Sequence, residues 1–526
     1  MSVPSEIANV GDVFRHWAKA CPSKLALQDL QGGQRSYSQL NNNINRLTNR
    51  LLDLGVKPGD RIAILSRNSL AYIETFGLSK AGFVLVPLNW RLQPEELLRL
   101  IAHSESVVVL VEDFFAATGE TLQRNAPGVM HWIAIGAKRK GWHNYAQLID
   151  AGSEQEIERV ISIKDPLCII YTSGTTGLPK GVSISHGGAL CNCRVAVDEM
   201  LQMVHEDITL VVMPLFHVGG MWYHCFPSIA SGCTTLLLNE FNPSTVLNAL
   251  VEYRISNVHL VPTMIAALIK QPQAEDIDLS HVRLMFYAAS SMPAPLLKQA
   301  LQIFPACGFA QAYGSTEGGV VTVLDPESHL RAKTPMGEHL LASCGRPMSE
   351  RDVRIVDDEE RTVPCGSVGE IEVRSPGLMS SYWKDETRTR ASVHGGWLKT
   401  GDMGYFDGEG FLYIVDRRND MIVTGGENVF PTEVEGILFE NPDILEAAVF
   451  GIPDPKWVET VVAAVVLKAG KTTTSRDIQQ HVQLKLASYK CPKQIYFVDQ
   501  LPKSAVGKVL RKDLKSIYSP RGENTP

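Results

Sequence analysis

The sequence predicts an α/β protein: a large N-terminal domain of mainly parallel sheets covered by helices, ending in a small β subdomain, then a smaller α+β C-terminal domain. Three observations lead there. From Arg61 to Phe286, short apolar runs alternate with segments of helical period. Past Gly337 that rhythm gives way to dense turn signals, as in DDEERTVPCGSVGEIEVRSPG. The charged run Asp416–Asp420 (DRRND) then separates two apolar stretches, and a second mixture of strands and helices follows it.

In order, Arg61–Leu65 (RIAIL) reads as a strand, Ser69–Lys80 as a helix and Phe83–Pro87 as the next strand. The pattern returns at Ser106–Val111, Leu167–Tyr171, Ile208–Met213, Thr234–Leu238, Asn257–Val261 and Val282–Phe286. Strands joined through helices imply right-handed crossovers and parallel pairing. The expected boundaries are 1–336 for the α/β sheets, 337–415 for the β subdomain, 416–420 for a junction and 421–526 for the C-terminal domain. In open parallel sheets, ligands sit beyond the carboxyl ends of the strands, so the loops that follow strands are where chemistry is sought.

Composition narrows the function. A length of 526 residues suits about three units at roughly 150 residues each. Apolar residues are 44% and charged residues 20% of the chain, which excludes a disordered protein. Fifty Lys and Arg against 57 Asp and Glu leave a net charge of −7, with no global reason to coat nucleic acid or an anionic membrane. No apolar stretch approaches the roughly 18 residues that span a bilayer, and the first residues lack a basic segment before an apolar core. The ten cysteines show no CxxC spacing; Cys191 and Cys193 are the only close pair. They read as reduced thiols, and a cytoplasmic enzyme is expected.

The apolar run Leu167–Tyr171 leads into TSGTTGLPKG, Thr172–Gly181. Gly174 and Gly177 let the loop turn tightly and present N–H groups to an anion. Thr172, Ser173, Thr175 and Thr176 add hydroxyls, and Lys180 adds a positive charge that can follow a polyphosphate. The loop is not of the GxxxxGK[ST] type, and the only Gly-Lys-Thr, at Gly470–Thr472, has Val465 where the first glycine belongs. Composition alone also allows a plain Gly/Ser/Thr surface loop.

YTSGTTGLPKG resembles the signature loop of the AMP-forming acyl-CoA synthetases, the adenylate-forming superfamily that also holds peptide-synthetase adenylation domains and beetle luciferases. Further motifs of that family follow in its order: FHVGG from Phe216, AYGSTE from Ala312, TGD from Thr400, DRRNDMIVTGGENVFPTEVE from Asp416, and PKSAVGK ending at Lys508. The resemblance implies that a carboxylic acid and ATP form an acyl adenylate with loss of pyrophosphate, after which a thiol, usually that of coenzyme A, displaces AMP. The first step brings together two anions, so its catalysis is electrostatic.

The resemblance also implies roles. Glu317 is the magnesium-binding glutamate, with Thr172 beside the metal and the phosphates. Thr316 binds the α-phosphate, and Gln311, Ala312, Tyr313 and Gly314 lie along the adenine. Ala289, Ser290 and Ser291 fall in the adenine loop, where serines replace the usual glycines. Asp402 and Arg417 hold the ribose. Lys508 bridges carboxylate and phosphate oxygens during adenylation. The C-terminal domain is then mobile, bringing Gly425, Gly426 and Glu427 to the pantetheine tunnel. Its pivot is Asn419, where the family has Asp or Lys, so the balance between domain orientations is open while the first step is unaffected. Singly, Tyr313 reads as core packing, Asp402 as a turn residue, Arg417 as linker charge, Lys508 as a surface lysine and His217 as a packed histidine. Their order distinguishes them.

His217, at the mouth of the acyl pocket, is implied to act near the carboxylate. Val218, Met221, Trp222 and Gly318 are implied to line the pocket, which is mostly apolar and so selects an apolar acid. It holds no Asp to pair an amino group and no Arg to pair a second carboxylate. Fatty and aryl acids both stay open, as do transfer to a carrier protein instead of coenzyme A, a luciferase-like oxidation, and a homodimer.

Overall fold

The computed structural model describes residues 3–4, 6–172, 180–274, 277–290, 292–418, 420–424, 427–503 and 509–519. The chain forms two compact units, Met1–Val353 with Val373–Leu398, and Arg354–Glu372 with Lys399–Pro526.

The first unit is built on two large sheets. Among the described residues one has eight strands, in the order Ser381–Tyr382, Lys180–Ser185, Pro166–Thr172, Val84–Pro87, Arg61–Leu65, Ser106–Glu112, His131–Ile135, His143–Asn144. The other has nine, running from Arg346–Pro347 through Gly319–Leu324, Gly308–Ser315, Leu284–Tyr287, Asn257–Leu260, Ile208–Val211, Thr234–Leu237 and Leu25–Asp29 to Gly33–Ser36. The central strands of both pair in parallel, as the crossovers predict. Antiparallel strands close the edges next to the loops of interest. Central strands such as Val84–Pro87 are buried throughout, which explains their continuous rather than alternating apolar character.

The helix expected over 69–80 is α-helical at Leu70–Gly77 and tightens into a 3₁₀ turn at Leu78–Ala81. Ser69 stands outside it as the cap, its Oγ accepting from Tyr72 N at 3.2 Å. The helix lies close against Tyr37–Asp53 because a Cβ on Gly77 would fall 2.3 Å from Ile44 Cδ1. Where it ends, Lys80 is fully buried. Its ammonium donates to Asn41 Oδ1 (2.5 Å), Asn45 Oδ1 (2.9 Å) and Glu156 Oε1 (2.7 Å), and Arg15 Nε adds a bond to the same Glu156 oxygen at 2.8 Å. Burial pulls Lys80 down to about 8. Burial would raise Glu156, but the Lys80 charge and the Asn45 and Asn41 amides hold it down to about 2. One carboxylate thus fastens the connection that precedes the strand Pro166–Thr172 to three helical segments, Val10–Ala20 through Arg15, Tyr37–Asp53 through Asn41 and Asn45, and the turn Leu78–Ala81 through Lys80.

In the second unit, Trp397–Phe406 pairs antiparallel with Leu412–Arg417, and a separate five-stranded sheet follows. In that sheet Val461, Ala463 and Val465 pack toward Val434, Leu438, Ile478 and Val482, while Val462 and Ala464 pack toward Phe450 and Leu514. The alternation is the period of two of a strand covered on both faces. Glu435 fixes the helix Pro431–Phe439 by accepting two bonds from Arg511 Nη2 (2.7 and 2.8 Å) and one from Val449 N (2.7 Å). No disulfide joins any of the ten cysteines, and eight of them are buried. No helix among the described residues is long and apolar enough to cross a membrane.

Replacing Glu156 with Gln leaves the Lys80 ammonium buried without its counter-charge. The expected cost is about 3 kcal/mol, read as a lowered urea midpoint; an unchanged midpoint would show that the neighbouring asparagines suffice.

Candidate active site

Most of the candidate residues of the first unit lie where strands end. Thr172 and Lys180 face each other in register across the antiparallel pair Pro166–Thr172 and Lys180–Ser185, so the two stems of the phosphate loop are fixed. Ser173, Gly174, Thr175 and Thr176 between them lie outside the described residues, as do Ser291, Asn419, Gly425, Gly426 and Lys508.

The strand Ser381–Tyr382 adds to the edge of Lys180–Ser185, with Tyr382 opposite Val182. Lys180 Nζ lies 5.5 Å from the centre of the Tyr382 ring, and the Tyr382 hydroxyl donates to Glu317 Oε1 at 3.0 Å. A single tyrosine therefore touches both charged groups expected to handle the polyphosphate. Burial, and then the Glu317 charge, push the phenol well above its ordinary pKa, so it stays a donor. Nothing in the sequence pointed to Tyr382, since a tyrosine in SSYW carries no motif signal.

Glu317 sits in the turn between Gly308–Ser315 and Gly319–Leu324. Gly314 faces Val320 and Ser315 faces Gly319. A Cβ on Gly314 would fall 2.3 Å from the Gly319 carbonyl oxygen, and Gly319 has φ +72°, so this turn needs its glycines. Gly318 N donates to Ser315 Oγ at 2.8 Å, Tyr223 Oη to Ser315 O at 3.0 Å, and Met379 N to Glu317 O at 2.8 Å. Gln311, Ala312, Tyr313 and Thr316 belong to the same strand and turn, Ala312 buried and the other three half-buried. Gln311 lies in register with Tyr287, whose hydroxyl is 3.3 Å from Gln311 Oε1. Two residues beyond Tyr287, Ala289 is exposed and has φ +75°, the left-handed conformation a glycine would take more readily; Ser290 is exposed beside it.

The turn is held from behind by Asn192. Its Oδ1 accepts from Arg351 Nη2 (2.8 Å) and Val320 N (3.3 Å), and its Nδ2 donates to Gly188 O (3.0 Å) and Gly377 O (2.7 Å). Arg351 Nε adds a bond to Val320 O at 2.8 Å. Gly319 and Gly377 crowd the amide so closely that a Cβ on either would meet its oxygen at 2.3 or 2.7 Å. Neither Asn192 nor Arg351 was among the residues the motifs suggested.

His217 caps the short helical stretch Val218–Gly220, which continues as a π-helical turn, Met221–Cys225. Its ring packs on Phe216 at 4.3 Å, and Trp90 stands edge-on to Phe216 at 5.9 Å. Burial, and then the Arg91 charge, lower His217 to about 4, so the ring is neutral, and its buried Nε2 meets no partner among the described residues. Val218 and Gly219 are half-buried next to it, Gly318 is buried, and Met221 is buried in the core. Trp222 is 2% exposed, edge-on between Phe76 (5.6 Å) and Phe226 (5.1 Å). These rings pack on one another in the interior, Trp222 in the turn that follows His217.

In the second unit the two ribose candidates meet. Asp402 and Arg417 are register partners on adjacent strands, and Arg417 Nε lies 3.2 Å from Asp402 Oδ1. Thr400 Oγ1 donates to Ile371 O at 2.7 Å and accepts from Asp402 N at 3.1 Å, which fixes the turn around Gly401. Glu427 is exposed at the start of Glu427–Val429.

The family profile of AMP-binding enzymes matches residues 14–383, and that of the AMP-binding enzyme C-terminal domain matches residues 433–508. An indoleacetate–CoA ligase of Aromatoleum aromaticum is 34% identical over 486 residues, 92% of this chain and 93% of that one. A feruloyl-CoA synthase of an Amycolatopsis species is 34% identical over 488 residues, 93% and 94% of the two chains. Among solved structures, an anthranilate–CoA ligase in complex with anthranoyl-AMP superposes with a TM-score of 0.88 at 28% identity, covering 97% of each chain.

Tyr382→Phe removes the bond to Glu317 and leaves the ring under Lys180. The expected effect is a rise of about tenfold in the magnesium concentration needed for half-maximal ATP–pyrophosphate exchange, with little change in thermal midpoint. An unaltered magnesium requirement would separate Tyr382 from the function of Glu317.

Proposed function

The chain belongs to the AMP-binding enzymes, the adenylate-forming acyl-CoA synthetase superfamily, and from that premise we propose that it joins an aryl acid to coenzyme A through an acyl adenylate. The observation that carries the reading is the Lys180–Tyr382–Glu317 arrangement: a cation and an acidic oxygen donor set on one aromatic ring beside the stems of the phosphate loop. Two features favour an aryl over a long fatty acid. Phe76, Trp222 and Phe226 pack as a cluster of rings that includes the turn following His217, and the relatives above act on indoleacetate and feruloyl groups.

Glu317 fits a magnesium ion. Tyr382 occupies Oε1, leaving the carboxylate's second oxygen as a hard ligand with Thr172 nearby in the motif order. When bound, the ion neutralises charge on the phosphates.

The side chains have separable tasks. Lys180 with Ser173, Thr175, Thr176 and the loop amides binds the β- and γ-phosphates. Thr316 and Lys508 stabilise charge on the α-phosphate as the carboxylate attacks, and Lys508, a compact ammonium on a flexible stem, also holds the attacking oxygen. Tyr313 lies against adenine beside Gly314, with Ala289 and Ser290 across from it, and Asp402 and Arg417 hold the ribose hydroxyls. His217, held neutral, donates to or accepts from the acid near its carboxylate without adding a charge. For the second step Gly425, Gly426 and Glu427 line the path of the pantetheine, and Asn419 is the pivot of the C-terminal domain, residues 421–526.

The test is AMP release from ATP over acetate, octanoate, palmitate, benzoate, cinnamate and malonate, each with and without coenzyme A, in wild type and Lys508→Ala. AMP release that needs an aromatic acid and coenzyme A together is expected. Lys508→Ala is expected to lose adenylation by more than a hundredfold while still making thioester from preformed acyl adenylate. Preference for palmitate, or pyrophosphate release indifferent to coenzyme A, would overturn the aryl–CoA reading in favour of a fatty-acid or carrier-loading enzyme.

A further inference from the structure

Behind the Val218–Gly220 stretch lie two histidines that the motifs do not include. His224 belongs to the π-helical turn Met221–Cys225 and His259 to the central strand Asn257–Leu260; both are 1% exposed. Their rings are 5.9 Å apart at 65°, and His259 packs on Phe286 at 4.6 Å. Buried imidazoles are ordinarily satisfied by a hydrogen bond. Here both ring nitrogens of His259 and Nδ1 of His224 are buried without a partner in hydrogen-bonding geometry among the described residues.

The protonation of this pair can be assigned from its neighbours. Asn257 Nδ2 donates to Leu201 O at 3.2 Å, so its Oδ1 faces His224 Nε2, 3.2 Å away. His224 Nε2 therefore carries the proton, and Nδ1 is a bare lone pair. Burial keeps both rings neutral, holding His224 at about 4 and His259 at about 3. A neutral His259 has one N–H and one lone pair. The Gly219 carbonyl is near it, but it makes no bond in hydrogen-bonding geometry to either nitrogen. The ring edge between those nitrogens faces Gly219: a Cβ there would sit 3.4 Å from His259 Cε1. Gly219 is half-buried and two residues from His217, so the glycine keeps the edge clear on the side where the acid is held.

We propose that His259, backed by His224, forms a polar end to the acyl pocket that recognises a neutral hydrogen-bond donor, a hydroxyl or a ring N–H, on the part of the aromatic acid remote from its carboxylate. This rests on the ligase reading above and narrows it from aryl acids to donor-bearing aryl acids. A lone pair without a partner in an apolar interior discriminates strongly, because an acid lacking the donor leaves it unsatisfied. The pair has no permanent charge, so a neutral donor suits it better than a second carboxylate.

The test is calorimetric binding of two matched pairs to the full chain: 4-hydroxycinnamate against cinnamate, and indole-3-acetate against its N-methyl analogue. Wild type is expected to favour the donor-bearing acid by about tenfold in at least one pair. His259→Phe should bring that ratio close to one, and His259→Gln, which keeps a donor and an acceptor, should restore part of it. Gly219→Ala, whose methyl would cover the ring edge at an ordinary contact distance, should also lower the ratio and serves if His259→Phe fails to fold. Ratios near one in wild type for both pairs, or a ratio unchanged in the variants, would overturn the proposal. Coenzyme A-dependent AMP release is followed in parallel. Release with an unchanged ratio overturns this inference alone, whereas a ratio that collapses in His259→Phe without AMP release from any acid upholds it and overturns the ligase reading.

Discussion

The geometry of the first unit's site depends on one buried amide. Asn192 occupies both its acceptor and its donors, and the groups it holds come from Gly188, Val320, Arg351 and Gly377. Two of these lie on either side of the candidate metal carboxylate: Val320 follows the turn that carries Glu317, and Gly377 begins the segment that supplies Met379 to the Glu317 carbonyl and Tyr382 to its side chain. A buried side-chain amide with four well-directed bonds specifies a single arrangement, because any shift leaves at least one polar group unpaired. The flanking glycines are part of the same constraint, since a methyl group on Gly319 or Gly377 would overlap the amide oxygen.

Around that anchor, neutral donors and acceptors are set against fixed charges. Tyr382 keeps its proton because it is buried against an anion, and so it can orient Glu317 without neutralising it. His217, His224 and His259 are all held neutral by burial, so these three rings add no positive charge. Among the described residues the cations beside these groups are Lys180, next to the Tyr382 ring, and Arg91, whose charge bears on His217.

Contiguous motifs made much of this legible. The run from Tyr171 to Gly181, the AYGSTE strand and the TGD turn each place several chemical groups within a few residues, because a strand followed by a tight loop is itself a local structure. The resemblance named Asp402 and Arg417 separately as ribose residues, and the structure pairs them in register on adjacent strands. The supports were not legible. Asn192 meets Val320 across 128 residues of sequence and Arg351 across 159, and Tyr382 meets Glu317 across 65. No local pattern marks an isolated Asn, Arg or Tyr for such a contact. His224 and His259 were equally silent, since a histidine in an apolar run looks like any packed core residue until ring nitrogens are seen to lack partners among the described residues. The helix expected over 69–80 shifted at its ends for a local reason, Ser69 serving as cap and Leu78–Ala81 tightening.

The central claim is that the Asn192 anchor sets the position of Glu317. It is tested most directly by magnesium-dependent ATP–pyrophosphate exchange in Asn192→Ala and Asn192→Ser, in protein that melts cooperatively. The anchor predicts a ten- to hundredfold loss of exchange, partly recovered at high magnesium in both variants. Exchange at the wild-type rate, with an unchanged magnesium requirement, would contradict it.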